Sequence, residues 1–135
     1  MDDIEAIKQL KARYFRLMDT KDWVGMHDVF APDVHVDVRD DGGGEFDGAE
    51  AFVAMLETVL QGVVSVHHGH MPEIEVTSPT TATGIWAMED RLQFPEGSEV
   101  ATLHGFGHYH ETYVKRTEGW RIQTMRLSRL RLDVS

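Results

Sequence analysis

The sequence predicts an α+β fold in which helices near the start of the chain cover one face of a curved, mostly antiparallel sheet. Apolar residues recur at helical spacing in the first third of the chain, whereas the second half alternates between apolar and polar residues over long runs. Short turns such as Pro95–Ser98 join these runs, which favours antiparallel pairing. At 135 residues the chain is long enough for one core, so residues 1–135 are expected to form a single domain.

Three helices are predicted, at about Asp3–Thr20, Trp23–Phe30 and Gly48–Gln61. In the first, an apolar stripe at intervals of three and four residues includes Tyr14 and leaves Lys8 and Lys11 largely on the opposite side. The second is expected to end before Pro32, because the residue that precedes a proline resists helical geometry. The strands are expected at Val34–Val38, Ile74–Val76, Thr81–Phe94, Glu99–Arg116 and Trp120–Asp133.

One carboxylate lies on the apolar face of a predicted strand. Between Thr81 and Phe94 the even positions include Trp86, Met88 and Asp90, and side chains two residues apart point to the same face. A buried carboxylate must be paired, hydrogen-bonded or neutralised. Asp90 is therefore a candidate functional residue, and a structural ion pair with a buried partner is the alternative.

The chain has eight histidines, and most fall in two groups, at residues 67–70 and 104–110. In the later strand His104, Phe106 and His108 share one face, but neither face is purely apolar, so the alternation leaves open which face is inside. The histidines lack the spacing of a helical metal-binding motif and no carboxylate triad accompanies them, so no metal site is expected.

Composition excludes several classes of protein. The net charge of −10 is unfavourable for binding nucleic acid or an anionic membrane, and no apolar run approaches the roughly 18 residues that span a bilayer. The absence of cysteine excludes thiolate chemistry, and the start of the chain does not read as a secretory signal. A cytoplasmic protein is therefore expected.

Three segments together resemble the SnoaL-like branch of the NTF2-like superfamily. These are the opening helix Ala6–Asp19 with Trp23, the histidine segment His67–Ile74, and the strand Thr80–Leu92. The likeness is greatest to proteins of the bile-acid 7α-dehydratase and scytalone dehydratase type, and it extends over nearly the whole chain. It implies a cone-shaped α+β fold with an interior active site and no cofactor.

The resemblance also implies which residues act. Carried over by position, the family's catalytic histidine corresponds to His67, its partner aspartate to Asp19, a pocket tyrosine to Tyr14 and an acid to Asp90. By helical pattern alone, Asp19 lies at the edge of the apolar stripe and would be a solvated residue at the helix end. Further pocket residues are expected on the long strands: Trp86, Met88, His104, Phe106 and His108.

The expected function is a cofactor-free lyase or isomerase acting on a hydrophobic ring-containing carbonyl compound, such as a steroid or polyketide. Neutral His67 would remove a proton, Asp19 would fix its tautomer, Tyr14 would donate to the enolate oxygen, and Asp90, held neutral by burial, would act as a second donor. The alternatives are a non-catalytic small-molecule binder and a structural small subunit of a ring-hydroxylating oxygenase. Apolar residues and arginines along the last strand suggest a homodimer or homotrimer.

Overall fold

The computed structural model describes all 135 residues and contains three α-helices and six β-strands. The helices are α1 Asp3–Asp19, α2 Trp23–His27 and α3 Ala49–Val59. The strands are β1 Phe30–Asp37, β2 Glu45–Asp47, β3 Val64–Ser78, β4 Thr81–Gln93, β5 Thr102–Arg116 and β6 Gly119–Val134, with a short 3-10 turn at Arg39–Asp41.

The six strands form one sheet in the order β2-β1-β6-β5-β4-β3. Every neighbouring pair is antiparallel except β1 and β6, which run parallel. The helices pack on the sheet, so the predicted α+β architecture is confirmed. None of the helices combines the length and the apolar character that crossing a bilayer would require.

Helix α1 begins where its sequence supplies a cap. The Asp2 side chain accepts a hydrogen bond from the Glu5 backbone N–H at 2.8 Å, which satisfies a donor that has no partner within the helix. The apolar stripe then packs against β3. A methyl group at Gly69 of β3 would lie 2.7 Å from the Phe15 ring, so the absence of a side chain there permits this close approach.

The second helix is shorter than its pattern predicted, ending at His27. Phe30, predicted to be helical, is the first residue of β1 and pairs with Ile122 of β6. The restriction that Pro32 places on Ala31 favours extended backbone, and the ladder is irregular between Phe30 and His35, which accommodates a proline without a donor. Pairing of Phe30 with β6 decides in favour of the strand.

Strand β3 is much longer than the predicted Ile74–Val76 and includes the whole histidine segment. A hydrogen-bonded ladder with β4 orders it despite the high polarity of its sequence. The alternation predicted for β4 is confirmed, because Ala82, Trp86, Met88 and Asp90 are all buried. The inner face of this long β-hairpin forms part of the core beneath α1 and α3.

Candidate functional site

A cavity of about 300 Å³ lies between the helices and the inner face of the sheet. Most of its wall is apolar, with aromatic, leucine and methionine side chains from α1, α3, β4, β5 and β6. The polar groups in the wall belong to Tyr14, Asp41, His67, Asp90, Tyr109 and Arg129. An apolar chamber with a few converging polar groups is the usual form of a small-molecule site.

His67 and Asp19 form a hydrogen-bonded pair at the edge of this cavity. The Nδ1 atom of His67 lies 2.7 Å from Oδ1 of Asp19, and the His67 backbone N–H donates to Oδ2 at 2.8 Å. The Ser65 hydroxyl donates to Oδ1 at 3.0 Å, so three contacts with β3 hold the carboxylate at the end of α1. Asp19 is therefore not the solvated helix-end residue that its position in the stripe suggested.

This arrangement fixes the tautomer of His67. A carboxylate only accepts hydrogen bonds, so Nδ1 carries the hydrogen and Nε2 of the neutral ring keeps its lone pair. Nε2 has no hydrogen-bond partner within the protein, and Oδ2 of Asp90 lies 3.8 Å from it. A buried imidazole with a free basic nitrogen in an apolar cavity is suited to removing a proton from a bound molecule.

The guanidinium group of Arg129 also lies in the cavity wall. Its Nη1 and Nη2 atoms contact the two carboxylate oxygens of Asp90 at 2.8 and 3.0 Å, and Nη2 also contacts Asp41 at 2.6 Å. Burial disfavours the guanidinium charge, yet hydrogen bonding to Asp90 and the charges of Asp90 and Asp41 raise the pKa of Arg129 overall. The side chains of Asp90 and Arg129 are only 5% and 8% exposed.

The expectation of a neutral, proton-donating Asp90 is therefore wrong. Bidentate pairing with a guanidinium stabilises the ionised carboxylate, so Asp90 accepts rather than donates. The alternative, a buried ion pair, describes what the structure contains. Gly105 on β5 makes room for the pair, because a methyl group there would collide with both Arg129 and Asp90.

Two tyrosines complete the polar lining. Tyr14 lies in the middle of α1 and Tyr109 on the inner face of β5, with their rings 5.8 Å apart in an edge-to-face contact. Burial raises the pKa of the Tyr14 phenol overall, although its interaction with the Tyr109 hydroxyl acts in the opposite direction. Burial also raises the pKa of the Tyr109 phenol. Both phenols therefore stay protonated at neutral pH, where they can donate hydrogen bonds.

Other predicted pocket residues lie elsewhere. Trp86 and Met88 point inward from β4 and pack in the core; neither lines the interior cavity, although Trp86 borders an open groove between α1 and β3. The prediction that His104, Phe106 and His108 line it is wrong, because they lie on the opposite face of β5 from the cavity-lining Tyr109. On that outer face His104 contacts Glu89 at 2.6 Å.

The inner face of β5 is the one that its sequence made least obvious, since it carries Gly105, Gly107, Tyr109 and Glu111. Side chains of Asp90 and Arg129 fill the space beside Gly105, and the backbone of β6 at Ser128 and Arg129 approaches Gly107 closely, so sparse apolar content does not mean exposure. The sequence did contain a signal for this inner face: Gly105 and Gly107 are two residues apart, and Gly105 pairs with Asp90, the carboxylate predicted to be buried. Arg129 was missed because it follows the alternation of β6 only after a bulge.

An open groove of about 600 Å³ lies on the other side of His67, between α1 and β3. Asp19 and His67 both line it, together with basic side chains such as Lys8 and Arg16. His67 alone of the pair also lines the interior cavity. His67 thus lies between the cavity and the groove, and its Nδ1 atom is held by the Asp19 carboxylate, which lines the groove. No group of three or more His, Cys, Asp or Glu side chains is arranged to hold a metal ion.

The chain belongs to the SnoaL-like domain family, whose model matches residues 1–126. It is 25% identical over 133 residues to the Probable cyclase FGR4 of Gibberella zeae, covering 92% of this chain and 89% of that protein. Its fold is similar to that of a scytalone dehydratase-like protein from Novosphingobium aromaticivorans, with a TM-score of 0.86, 19% identity and coverage of 98% and 87% of the two chains.

The fold is also similar to that of a type 2 hexachlorocyclohexane dehydrochlorinase, LinA, with a TM-score of 0.85 at 17% identity. The alignment covers 97% of this chain and 87% of that one. At such identities these two structures support the shared fold alone. The predicted SnoaL-like, NTF2-like membership is confirmed.

Proposed function

We propose that this protein is a cofactor-free lyase that eliminates water from, or moves a proton within, an uncharged ring compound bearing a carbonyl group. The observation that carries the proposal is the free Nε2 of His67, which lines a largely apolar cavity while Nδ1 of the same ring is held by Asp19 at 2.7 Å. The names of the similar proteins, a cyclase, a dehydratase and a dehydrochlorinase, support chemistry of this general kind.

The first step is removal of a proton from the carbon next to the carbonyl group, or from its vinylogous position. Nε2 of His67 takes the proton, and the electron pair of the C–H bond moves into the ring as an enolate. Asp19 stabilises the imidazolium that forms, since its oxygen already accepts from Nδ1. A base positioned in this way contributes roughly 10²- to 10⁴-fold to the rate.

The enolate oxygen needs hydrogen-bond donors, and the phenols of Tyr14 and Tyr109 line the same cavity. Donors that are already oriented toward developing charge are usually the largest contribution in such sites. Return of the electron pair expels the β-hydroxyl group. The imidazolium of His67 supplies the proton for the departing water, so the product is a conjugated ketone and the base is regenerated.

Asp90 has a different task from the one its sequence position implied. Its carboxylate is bound by Arg129 and lies 3.8 Å from Nε2, so it can accept a hydrogen bond from the hydroxyl group of the substrate. The partner Asp41 fixes the other side of the guanidinium. We assign positioning of the leaving group to this Asp90–Arg129 pair.

The size and lining of the cavity restrict the substrate. About 300 Å³ bounded largely by apolar side chains suits a compact hydrophobic molecule of a few fused rings. The polar wall carries three carboxylates, counting Asp19 beside His67, against the single guanidinium of Arg129. An anionic substrate would meet this excess of negative charge, so a neutral hydroxy ketone is favoured.

A spectrophotometric screen of hydroxylated 3-oxo steroids, β-hydroxy ketones and hydroxylated polycyclic aromatics tests the proposal. Wild type should produce new conjugated absorbance, and His67→Ala should lower turnover at least a hundredfold while circular dichroism shows a folded protein. His68→Ala is the matched control, because the adjacent side chain lies on the opposite face of β3 and is exposed. Undiminished turnover in His67→Ala would contradict the assignment.

The same screen separates the two alternatives. A non-catalytic binder would retain ligands without product and would tolerate loss of the His67 base. A structural small subunit would require a larger partner, whereas we propose that this chain forms a homodimer or homotrimer. Leu130 and Leu132 of β6 are exposed and available for such association. Light scattering on the purified chain tests this, and a monomer would contradict it.

A further inference from the structure

A second cluster of buried polar groups lies behind the cavity wall. The ammonium of Lys11 is 2.6 Å from Oε2 of Glu111, and both side chains are completely buried. Oε1 of Glu111 accepts a hydrogen bond from the Tyr113 hydroxyl at 2.6 Å. The hydroxyl oxygen of Tyr113 in turn accepts a hydrogen bond from Nε1 of Trp86 at 2.9 Å. None of these four residues lines the interior cavity, and the proposed reaction uses none of them. We call them the sealed cluster.

The Lys11 ammonium lies over the faces of the two tyrosines that do line the cavity. It is 3.7 Å from the ring centroid of Tyr14 and 3.6 Å from that of Tyr109. Burial lowers the pKa of Lys11 to about 8, with Glu111 acting in the opposite direction, so the group is mainly protonated at neutral pH. Two phenol rings therefore share one cation that does not itself line the cavity.

We propose that Lys11 is a positioning residue for an oxyanion site formed by Tyr14 and Tyr109, whose ligand is an enolate or phenolate oxygen. A phenol that donates to an oxyanion gains negative charge in its ring, and a cation held over the ring face stabilises that charge. Lys11 never touches the ligand and acts through the two rings. The inference rests on the proposed function, because that function places an oxyanion in the cavity.

The charge of Glu111 opposes this effect, since it raises the pKa of both Tyr14 and Tyr109. The Lys11 ammonium, however, lies directly over the two ring faces, at 3.7 and 3.6 Å. Glu111 keeps the buried ammonium charged, as an unpaired cation would lose its proton. Its own two oxygens are engaged by Lys11 and by Tyr113. Tyr113 consequently experiences the opposite influence, since it donates directly to the carboxylate, and the charge of Glu111 raises its pKa in addition to burial.

The chain offers an unusually clean test, because its only three tyrosines are Tyr14, Tyr109 and Tyr113. Biosynthetic replacement by a fluorotyrosine with an acidified phenol would give three fluorine resonances, assigned with single Tyr→Phe variants. Each resonance is then titrated in wild type and in the double variant Lys11→Met/Glu111→Gln. The double variant removes both charges without leaving either one buried alone.

We expect opposite shifts within one cluster. In the double variant the pKa values of the fluorotyrosines at positions 14 and 109 should rise by about one unit, which is a tenfold loss of acidity. The pKa of the fluorotyrosine at position 113 should fall. If the ion pair only supports packing, its loss loosens the core and lowers all three pKa values. A uniform fall, or no change at 14 and 109, would overturn the inference.

Binding of phenols supplies the functional readout. Wild type should bind the anion of an acidic substituted phenol about tenfold more tightly than the double variant does, with equal affinity for the corresponding methyl ether. Equal affinity of both proteins for the anion would also overturn the inference. Both measurements are independent of turnover, so a protein that shows the fluorine shifts yet fails the elimination screen retains the oxyanion site and loses the proposed lyase activity.

Discussion

Two polar clusters link the same sheet of this protein to other elements, and they differ in whether they reach the interior cavity. The sealed cluster pairs one cation with one carboxylate, and both have no exposure at all. The other, which we call the cavity cluster, consists of Asp19, His67, Asp90, Arg129 and Asp41. It places three carboxylates beside one guanidinium and leaves Nε2 of His67 without a hydrogen-bond partner, 3.8 Å from Oδ2 of Asp90.

The difference indicates what each cluster is for. The sealed pair, with its polar atoms bound, holds a cation over the rings of the two cavity tyrosines, and we propose that it acts on them through its charge. The cavity cluster has an excess of negative charge, which would favour the imidazolium that the proposed reaction forms at His67. Buried charge by itself therefore does not mark a candidate active site; the basis of our proposal is an unpaired basic atom that faces a cavity.

The largest effect on stability is expected from breaking the sealed cluster on one side only. Lys11→Met leaves Glu111 ionised and buried without its partner, so the free energy of unfolding should fall by about 3–5 kcal/mol. Lys11→Met/Glu111→Gln should recover most of that loss. Urea denaturation of wild type, both single variants and the double variant measures the coupling. Additive losses would show that the two side chains do not act as a pair.

A pair of glycine substitutions sharpens the comparison. A methyl group at Gly105 would collide with Arg129 and Asp90 of the cavity cluster, whereas one at Gly84 would lie 2.7 Å from the Tyr113 hydroxyl of the sealed cluster. Each Gly→Ala change should cost about 1–3 kcal/mol of stability by overpacking. Turnover should fall most in Gly105→Ala. A larger loss of turnover in Gly84→Ala would reverse our assignment of the two clusters.

The pH dependence of stability gives a smaller effect with a definite sign. The pKa of Lys11 is lowered to about 8 in the folded state, against 10.5 for an unperturbed lysine. Between these values the unfolded chain binds more protons at this site, so the contribution of Lys11 rises with pH, by at most roughly 1.4 kcal/mol per pH unit.

The contribution is complete above pH 10.5 and is lost as the pH falls through 8. Burial raises the pKa of the three tyrosines in the folded state, so above their ordinary pKa of 10.0 their contribution to stability falls with pH. Below pH 10.0 they do not oppose the effect of Lys11. Denaturation of wild type and the Lys11→Met/Glu111→Gln variant between pH 7.5 and roughly 9.5 isolates the contribution of Lys11 to the free energy of unfolding. Parallel curves for the two proteins would contradict the expected linkage.

The smallest effect is expected on the outer face of the sheet. His104→Ala removes a half-exposed contact with Glu89, which is worth about 0–1 kcal/mol. Turnover should stay within about twofold of wild type, since the side chain does not reach the cavity. The elimination assay decides this. A large loss would restore the original prediction that His104 is a pocket residue.

Local pattern predicted most of the fold. Helix α1 was predicted to within a residue, and the buried face of β4 was predicted at Trp86, Met88 and Asp90, because spacing along one element depends only on its own backbone geometry. Boundaries that depend on partners were less accurate. Phe30 joined β1, and the histidine segment became part of a 15-residue strand, because pairing with β6 and β4 outweighed local preference.

The sequence by itself determined the fold class, the family, the burial of Asp90 and the histidine proposed as the base. Only the tertiary structure decided the partners. Arg129 meets Asp90 across 39 residues of chain, and Lys11 meets Glu111 across 100. A lysine that a helical pattern assigns to solvent is buried because a carboxylate on a distant strand faces it. Alternation shows which way a side chain points, but the cost of burying a charge depends on what another element brings to it.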